Sequence, residues 1–146
     1  MKRLLVIEDG AEYEEFAALF LADCFEVRAA HSAREALAAL AAAPADALLV
    51  DLRFDRIASD ALVGDVAATA ERLFGGDRAR AEAYLKDHQG ALVLAELRRA
   101  GHRQPAVFIH EFPPAQLANL QKLYAPVSAL RSFDARRLRE AFGVGA

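Results

Sequence analysis

Residues 4–10 read LLVIEDG and residues 47–51 read ALLVD, and these two stretches decide the fold. Each is a continuous apolar run that stops at an acid. A strand with one wet face alternates apolar and polar residues, whereas a run apolar at every position suits a strand covered on both faces, as in parallel sheets. Outward from the first run, Glu12 to Ala22 carries Tyr13, Phe16, Ala17, Phe20 and Leu21 at helical spacing. Its acids fall in the first turn, where the helix dipole favours them. Phe25 to Ala29 gives a second short strand. Ser32 and Glu35 form a Ser-x-x-Glu capping box opening a helix through about Ala42, with Ala36, Leu37 and Leu40 inward. Pro44 then punctuates before the third strand, Ala47 to Val50.

The alternation resumes at Gly90. Ala91, Leu94, Ala95 and Leu97 predict a helix that stops near Gly101, and Ala106 to Ile109 a fourth strand. Pro113 and Pro114 suit the first turn of the next helix, where a missing amide hydrogen costs nothing. Leu117, Leu120, Leu123 and Tyr124 supply its inner stripe. Val127 to Leu130 is a fifth strand, and Asp134 caps a last helix holding Leu138 and Phe142. Apolar strands alternating with helices specify an α/β fold: a doubly wound, five-stranded parallel sheet in flavodoxin-like order. Between about Asp55 and His88 lies an extra segment of roughly thirty residues, long for a bare loop in a compact domain. Val66, Ala70, Leu73 and Phe74 keep one stripe, Gly75-Gly76 breaks it, and Asp77 caps a stretch with Ala81, Tyr84 and Leu85 in line. An inserted helical hairpin after strand three is expected.

Length and charge bound the function. At 146 residues the chain is one domain (1–146), large enough to bury about 70% of its unfolded surface. Eighteen Lys+Arg against 21 Asp+Glu give a net charge of −3, which argues against general nucleic-acid binding. No apolar stretch approaches the roughly 18 residues of a membrane span, and the N-terminal run is too short for a signal peptide. Cys24 is alone, so neither a disulfide nor a cysteine metal cluster is expected. A cytoplasmic protein is the expectation.

Ligands of open parallel sheets bind beyond the carboxyl ends of the strands. Those ends offer Glu8 and Asp9, then Asp51, then His110 and Glu111, then Arg131. Carboxylates gathered at one edge repel one another unless a cation joins them or one takes up a proton. Mg²⁺ suits such hard oxygen ligands, and a carboxylate beside it can attack a phosphoryl group. Arg131 could then offer paired donors to phosphoryl oxygens, or pair with Asp51 or Glu111. The plainer readings stand beside these. Strand-end acids often simply face solvent, His110 plugs the pocket or is structural, and Asp55, Asp60 and Asp65 make a solvated loop and helix cap. His31, His88 and His102 lie at the surface, and Cys24 is a small hydrophobe.

The sequence resembles the receiver domain of bacterial two-component response regulators. The match lies in LLVIEDG, FEVRAAHSAREALAAL, ADALLVDL and QGALVLAELRRAGHRQPAVFIHEF, with ALRSFDARRLREAF where the family has a Lys-Pro-Phe-Asp-like turn and final helix. The resemblance implies that Asp51 accepts a phosphoryl group from a histidine kinase. It also implies that Asp9, with Glu8 and the backbone carbonyl of Arg53, helps hold Mg²⁺. Four positions depart from it. His110 replaces the switch Ser/Thr, Arg131 the lysine, Ser132 the proline that follows it, and Ser128 the aromatic residue of strand five. The expected function is a stand-alone, atypical receiver, not an enzyme, acting through protein partners: a histidine kinase, a downstream signalling protein or a second copy. A pseudo-receiver with a degenerate switch is preferred to a phosphorylatable Mg²⁺-dependent receiver. A small Mg²⁺-dependent phosphohydrolase or phosphotransferase is the rival from another class.

Overall fold

The computed structural model describes residues 1–144. Five strands, β1 (Lys2–Ile7), β2 (Phe25–Ala30), β3 (Ala47–Val50), β4 (Ala106–Ile109) and β5 (Val127–Leu130), form one sheet in the order β2-β1-β3-β4-β5. Every neighbouring pair is parallel. The strands sit where the apolar runs predict them, with β1 starting two residues earlier and β2 ending one later.

The pleat divides the core into two layers. Leu5, Ile7, Leu48, Val50, Ala106 and Phe108 face α2 (Ala33–Ala42), α5 (Gln89–Arg99) and α6 (Pro114–Tyr124). Leu4, Val6, Ala47, Leu49 and Val107 face α1 (Glu12–Phe20) and α7 (Ala135–Ala141). Both faces of the central strands are therefore covered, which is why β3 and β4 are apolar throughout, while the edge strand β2 carries Glu26 and Arg28 and the edge strand β5 carries Ser128. Among the described residues no helix is long and apolar enough to cross a membrane.

The helix ends follow local chemistry, with some departures. Ser32 Oγ accepts from Glu35 N, but the returning Glu35 carboxylate accepts from His31 N, one residue before the amide a reciprocal capping box would use. Asp134 and Asp77 cap α7 and α4 (Arg78–Asp87) as predicted. Leu123, expected inward on α6, is 55% exposed, and Phe20, at the end of α1, is also exposed. Both stand beside a residue that does face the core, Leu21 next to Phe20 and Tyr124 next to Leu123. Leu73 and Tyr84 likewise face outward, while Ala70, Ala81 and Leu85 are buried.

Between β3 and α5 the chain makes a 3₁₀ turn (Ser59–Ala61), then α3 (Val66–Leu73) and α4. The two helices meet through the edge-on rings of Phe74 and Tyr84, 5.7 Å apart. This segment is fastened at three points. Phe54 N donates to Lys86 O, and both Phe54 and Ile57 are buried in the first core layer. The Gln89 side-chain amide, wholly buried, accepts from Val63 N and donates to Val63 O and Leu85 O. Gly90 N donates to Leu52 O at 2.8 Å. A Cβ on Gly90 would fall inside van der Waals contact of the Asp51 carbonyl oxygen and only 2.9 Å from Leu52 Cα. Glycine there lets the start of α5 press directly on the chain leaving β3.

That contact reverses an ordinary expectation. Gly→Ala in an open helix stabilises by about 1 kcal/mol, whereas Gly90→Ala is expected to destabilise by roughly 2 kcal/mol or more because backbone must move. Urea unfolding measures the sign; a gain in stability would show that the approach is loose.

Candidate functional site

The register sets the site. Ile7 pairs with Val50, Val50 with Phe108, and Ile109 with Leu130, so the chain leaves these strands at nearly one level. Backbone bonds continue one step past the strands: Glu8 N donates to Ala30 O, Asp51 N to Ile7 O and His110 N to Leu130 O. Glu8, Asp51, His110 and Arg131 are the residues that immediately follow the strands on this rim.

The individual side chains do different things there. Glu8 is fully buried, and its two oxygens accept from Tyr13 N and Glu14 N at 3.0 and 2.8 Å. These are amides of the first turn of α1, whose own N-cap, Ala11, has no side chain to offer. Glu8 is thus the helix cap, taking up amides that would otherwise lack partners. Burial nonetheless raises its pKa, against the lowering effect of the two amides.

Asp9 lies under a residue from the segment after β3. Its Oδ2 accepts from Arg56 N at 2.7 Å and stands 4.0 Å from Arg56 Nε. The Arg56 guanidinium also bonds Glu12 Oε1 at 3.0 Å. The Glu12 backbone amide and then that bond lower the Glu12 pKa, and the same bond with the neighbouring acids raises that of Arg56.

Asp51 is half-buried, and its Oδ1 accepts from Tyr13 Oη at 3.3 Å and Arg53 N at 3.4 Å. Burial raises its pKa to about 6; Asp9 and Glu8 push the same way, while the bonds from Arg53 N and Tyr13 pull down. The Tyr13 hydroxyl also lies 3.3 Å from Ile109 O, bridging β3 and β4, and its ring meets Phe133 edge-on at 4.8 Å. Burial and the nearby acids drive the Tyr13 pKa upward, so it remains a donor.

On the β4–β5 side of the rim the side chains pair among themselves. His110 packs against Phe112, ring centroids 4.6 Å apart, and burial followed by the charge of Arg53 lowers its pKa despite Glu111. Arg131 is 82% exposed and pairs with Glu111 at 3.6 Å. Together with Phe112, Pro114, Leu117 and Ala129 these residues line a shallow groove of about 320 Å³. Of the two pairings open to Arg131 from the sequence, the structure has Glu111.

A divalent ion does not fit these residues as they stand. Glu8 has both oxygens engaged by α1, Asp9 lies beneath a guanidinium, and among the described residues no group of three ligating side chains gathers. Sequence reasoning missed Tyr13, which the periodicity places only in a helical stripe, and Arg56, which lies 47 residues from Asp9 and shares no local pattern with it. The lack of a polar side chain at Ala11 is the one local hint that Glu8 turns to the helix.

An acid with a raised folded-state pKa binds its proton more tightly folded than unfolded, so its contribution to stability falls as pH rises, here from about 4 to about 6. Asp51→Asn is therefore expected to match the native protein near pH 4 and to exceed it by about 1 kcal/mol at pH 7, the figure discounted for partial exposure. Paired urea titrations at the two pH values check this, and a less stable variant at pH 7 would contradict it. Tyr13→Phe removes a donor to the carboxylate and should move the Asp51 midpoint higher, as followed by carboxyl NMR.

No family model and no curated protein matches the sequence. Solved structures do. The chemotaxis protein CheY4 of Vibrio cholerae superposes with a TM-score of 0.65 at 16% identity, over 98% of this chain and 97% of that one. The receiver domain of the Francisella response regulator 1452 gives 0.64 at 12% identity, over 98% and 94%. NtrX from Brucella abortus gives 0.63 at 19% identity over 97% of this chain, which spans only 27% of that longer protein. At such low identity the likeness is one of architecture, and with the strand order it establishes that this chain has the receiver fold.

Proposed function

We propose that the chain is an atypical receiver domain of bacterial signal transduction, a pseudo-receiver that acts by protein–protein contact without phosphoryl transfer to Asp51. The observation that carries this reading is the position of Arg131. A phosphoryl group on Asp51 needs a charged donor held against its oxygens. Arg131 stands in solvent against Glu111, and none of its contacts holds it over Asp51. His110, in the switch position, packs on Phe112 and has no recorded bond to Asp51. The partners on this reading are a signalling protein, a histidine kinase or a second copy of the chain, met in the cytoplasm.

One observation favours the phosphorylatable form. Asp51 lies at the strand end with its recorded bonds long, 3.3 and 3.4 Å, so it would be open to a donor once a cation relieved its neighbours. The enzyme reading has less support, because the acid–base partner it needs, His110, is packed against an aromatic ring.

Incubation with Mg²⁺ and acetyl phosphate, and in parallel with beryllofluoride, separates these readings by intact mass and by the Asp51 and Arg53 amide signals. The expected result is neither mass gain nor amide shift. A stable adduct on Asp51 would overturn the pseudo-receiver reading in favour of the phosphorylatable form, and rapid donor turnover would overturn it in favour of the enzyme.

A further inference from the structure

We propose that Arg56 is the resident cation of the acidic rim: a guanidinium built into the segment after β3 that occupies the charge role of a divalent ion and keeps such an ion out. The inference rests on reading this rim as that of a pseudo-receiver.

Three observations carry it. The first is contact: Arg56 reaches two carboxylates from different parts of the chain, Asp9 at 4.0 Å and Glu12 at 3.0 Å, while its backbone amide holds Asp9 Oδ2 at 2.7 Å. The Asp9 side chain is only 7% exposed, with the Arg56 amide and Arg56 Nε both directed at its Oδ2. The second is room: a Cβ on Gly10 would fall inside van der Waals contact of Glu12 Oε2 and lie 2.7 Å from an Arg56 terminal nitrogen and 3.2 Å from its Cζ, so the glycine between the acids and α1 leaves the space that the Arg56–Glu12 pair uses. The third is anchorage. Phe54 and Ile57, on either side of Arg56, are buried, and Phe54 N is bonded to Lys86 O. The turn carrying the cation is therefore fixed by the core and by α4, although the guanidinium itself is 65% exposed.

The electrostatics follow. Asp9 and Glu8 both raise the energy of a charge on Asp51, Glu12 raises that on Glu8, and a positive group near them relieves the repulsion. A guanidinium stays protonated at any physiological pH, so this cation cannot be chelated away or lost by titration. A Mg²⁺ ion approaching Asp9 would meet a like charge about 4 Å from the same carboxylate oxygen.

Mg²⁺ titrated into the native protein, Arg56→Gln, Arg56→Lys and Arg56→Gln/Asp9→Asn, followed by calorimetry and by the Gly10 and Arg53 amide signals, tests this. Melting curves check that each variant is folded; the Arg56 amide that holds Asp9 survives every change at position 56. Arg56→Gln is expected to bind Mg²⁺ roughly tenfold or more tighter than the native protein, even allowing for solvent screening. Arg56→Lys should remain near native, and the double variant should lose the gain. Equal binding by native protein and Arg56→Gln, no binding by either, or an equal gain in the lysine variant would each overturn the proposal. Any of those results would remove Arg56 from this role while leaving the adduct test on Asp51 to judge the pseudo-receiver reading.

Discussion

Parallel strands that end in acids bring negative charge to one rim, and at the ends of β1 and β3 that charge must be balanced before the sheet can close. Here the chain balances it with its own atoms. Glu8 is satisfied by two amides of α1, Asp9 by Arg56, and Asp51 by Arg53 N, the Tyr13 hydroxyl and, toward pH 6, a proton. Each solution has a structural consequence. Glu8 starts α1, Arg56 ties the segment after β3 to β1, and Tyr13 bridges β3 to β4.

The energetic weight lies more in backbone bonds than in ion pairs. An exposed salt bridge contributes about 0–1 kcal/mol, so the Arg56 and Arg131 pairs hold little by themselves. What fixes Arg56 is the burial of Phe54 and Ile57, each worth roughly 1.5–3 kcal/mol, with Gln89 and Gly90 clamping the same segment to α5. Arg131, by contrast, is 82% exposed and pairs with Glu111, itself 70% exposed, whereas the Asp9 that Arg56 meets is 7% exposed. That contrast separates a cation built into the fold from one free to follow solvent.

The architecture was legible because its signals are local. Unbroken apolar runs in β1, β3 and β4, a serine cap at Ser32, aspartate caps at Asp77 and Asp134 and a Pro-led helix each lie within a few residues. The strand-end residues of the rim were legible for the same reason, since strand ends name themselves once strands are read. What could not be read were pairings set by distant packing. Tyr13 fits a helical stripe whether or not its hydroxyl meets Asp51, Gly90 looks like an ordinary helix residue, and Gln89 gives no sign that its amide will hold Val63. Leu123 and Phe20 also matched the apolar period yet face outward, because a run of apolar residues is wider than the covered face and at both places the adjacent residue, Tyr124 or Leu21, takes the core position.

A crystal structure grown at high Mg²⁺ concentration addresses the self-neutralised rim most directly. The account expects the Arg56 side chain still lying over Asp9 and Glu12, with Tyr13 on Asp51 and no octahedral ion between the two aspartates. An ion coordinated by Asp9 and Asp51, with Arg56 swung into solvent, would contradict it.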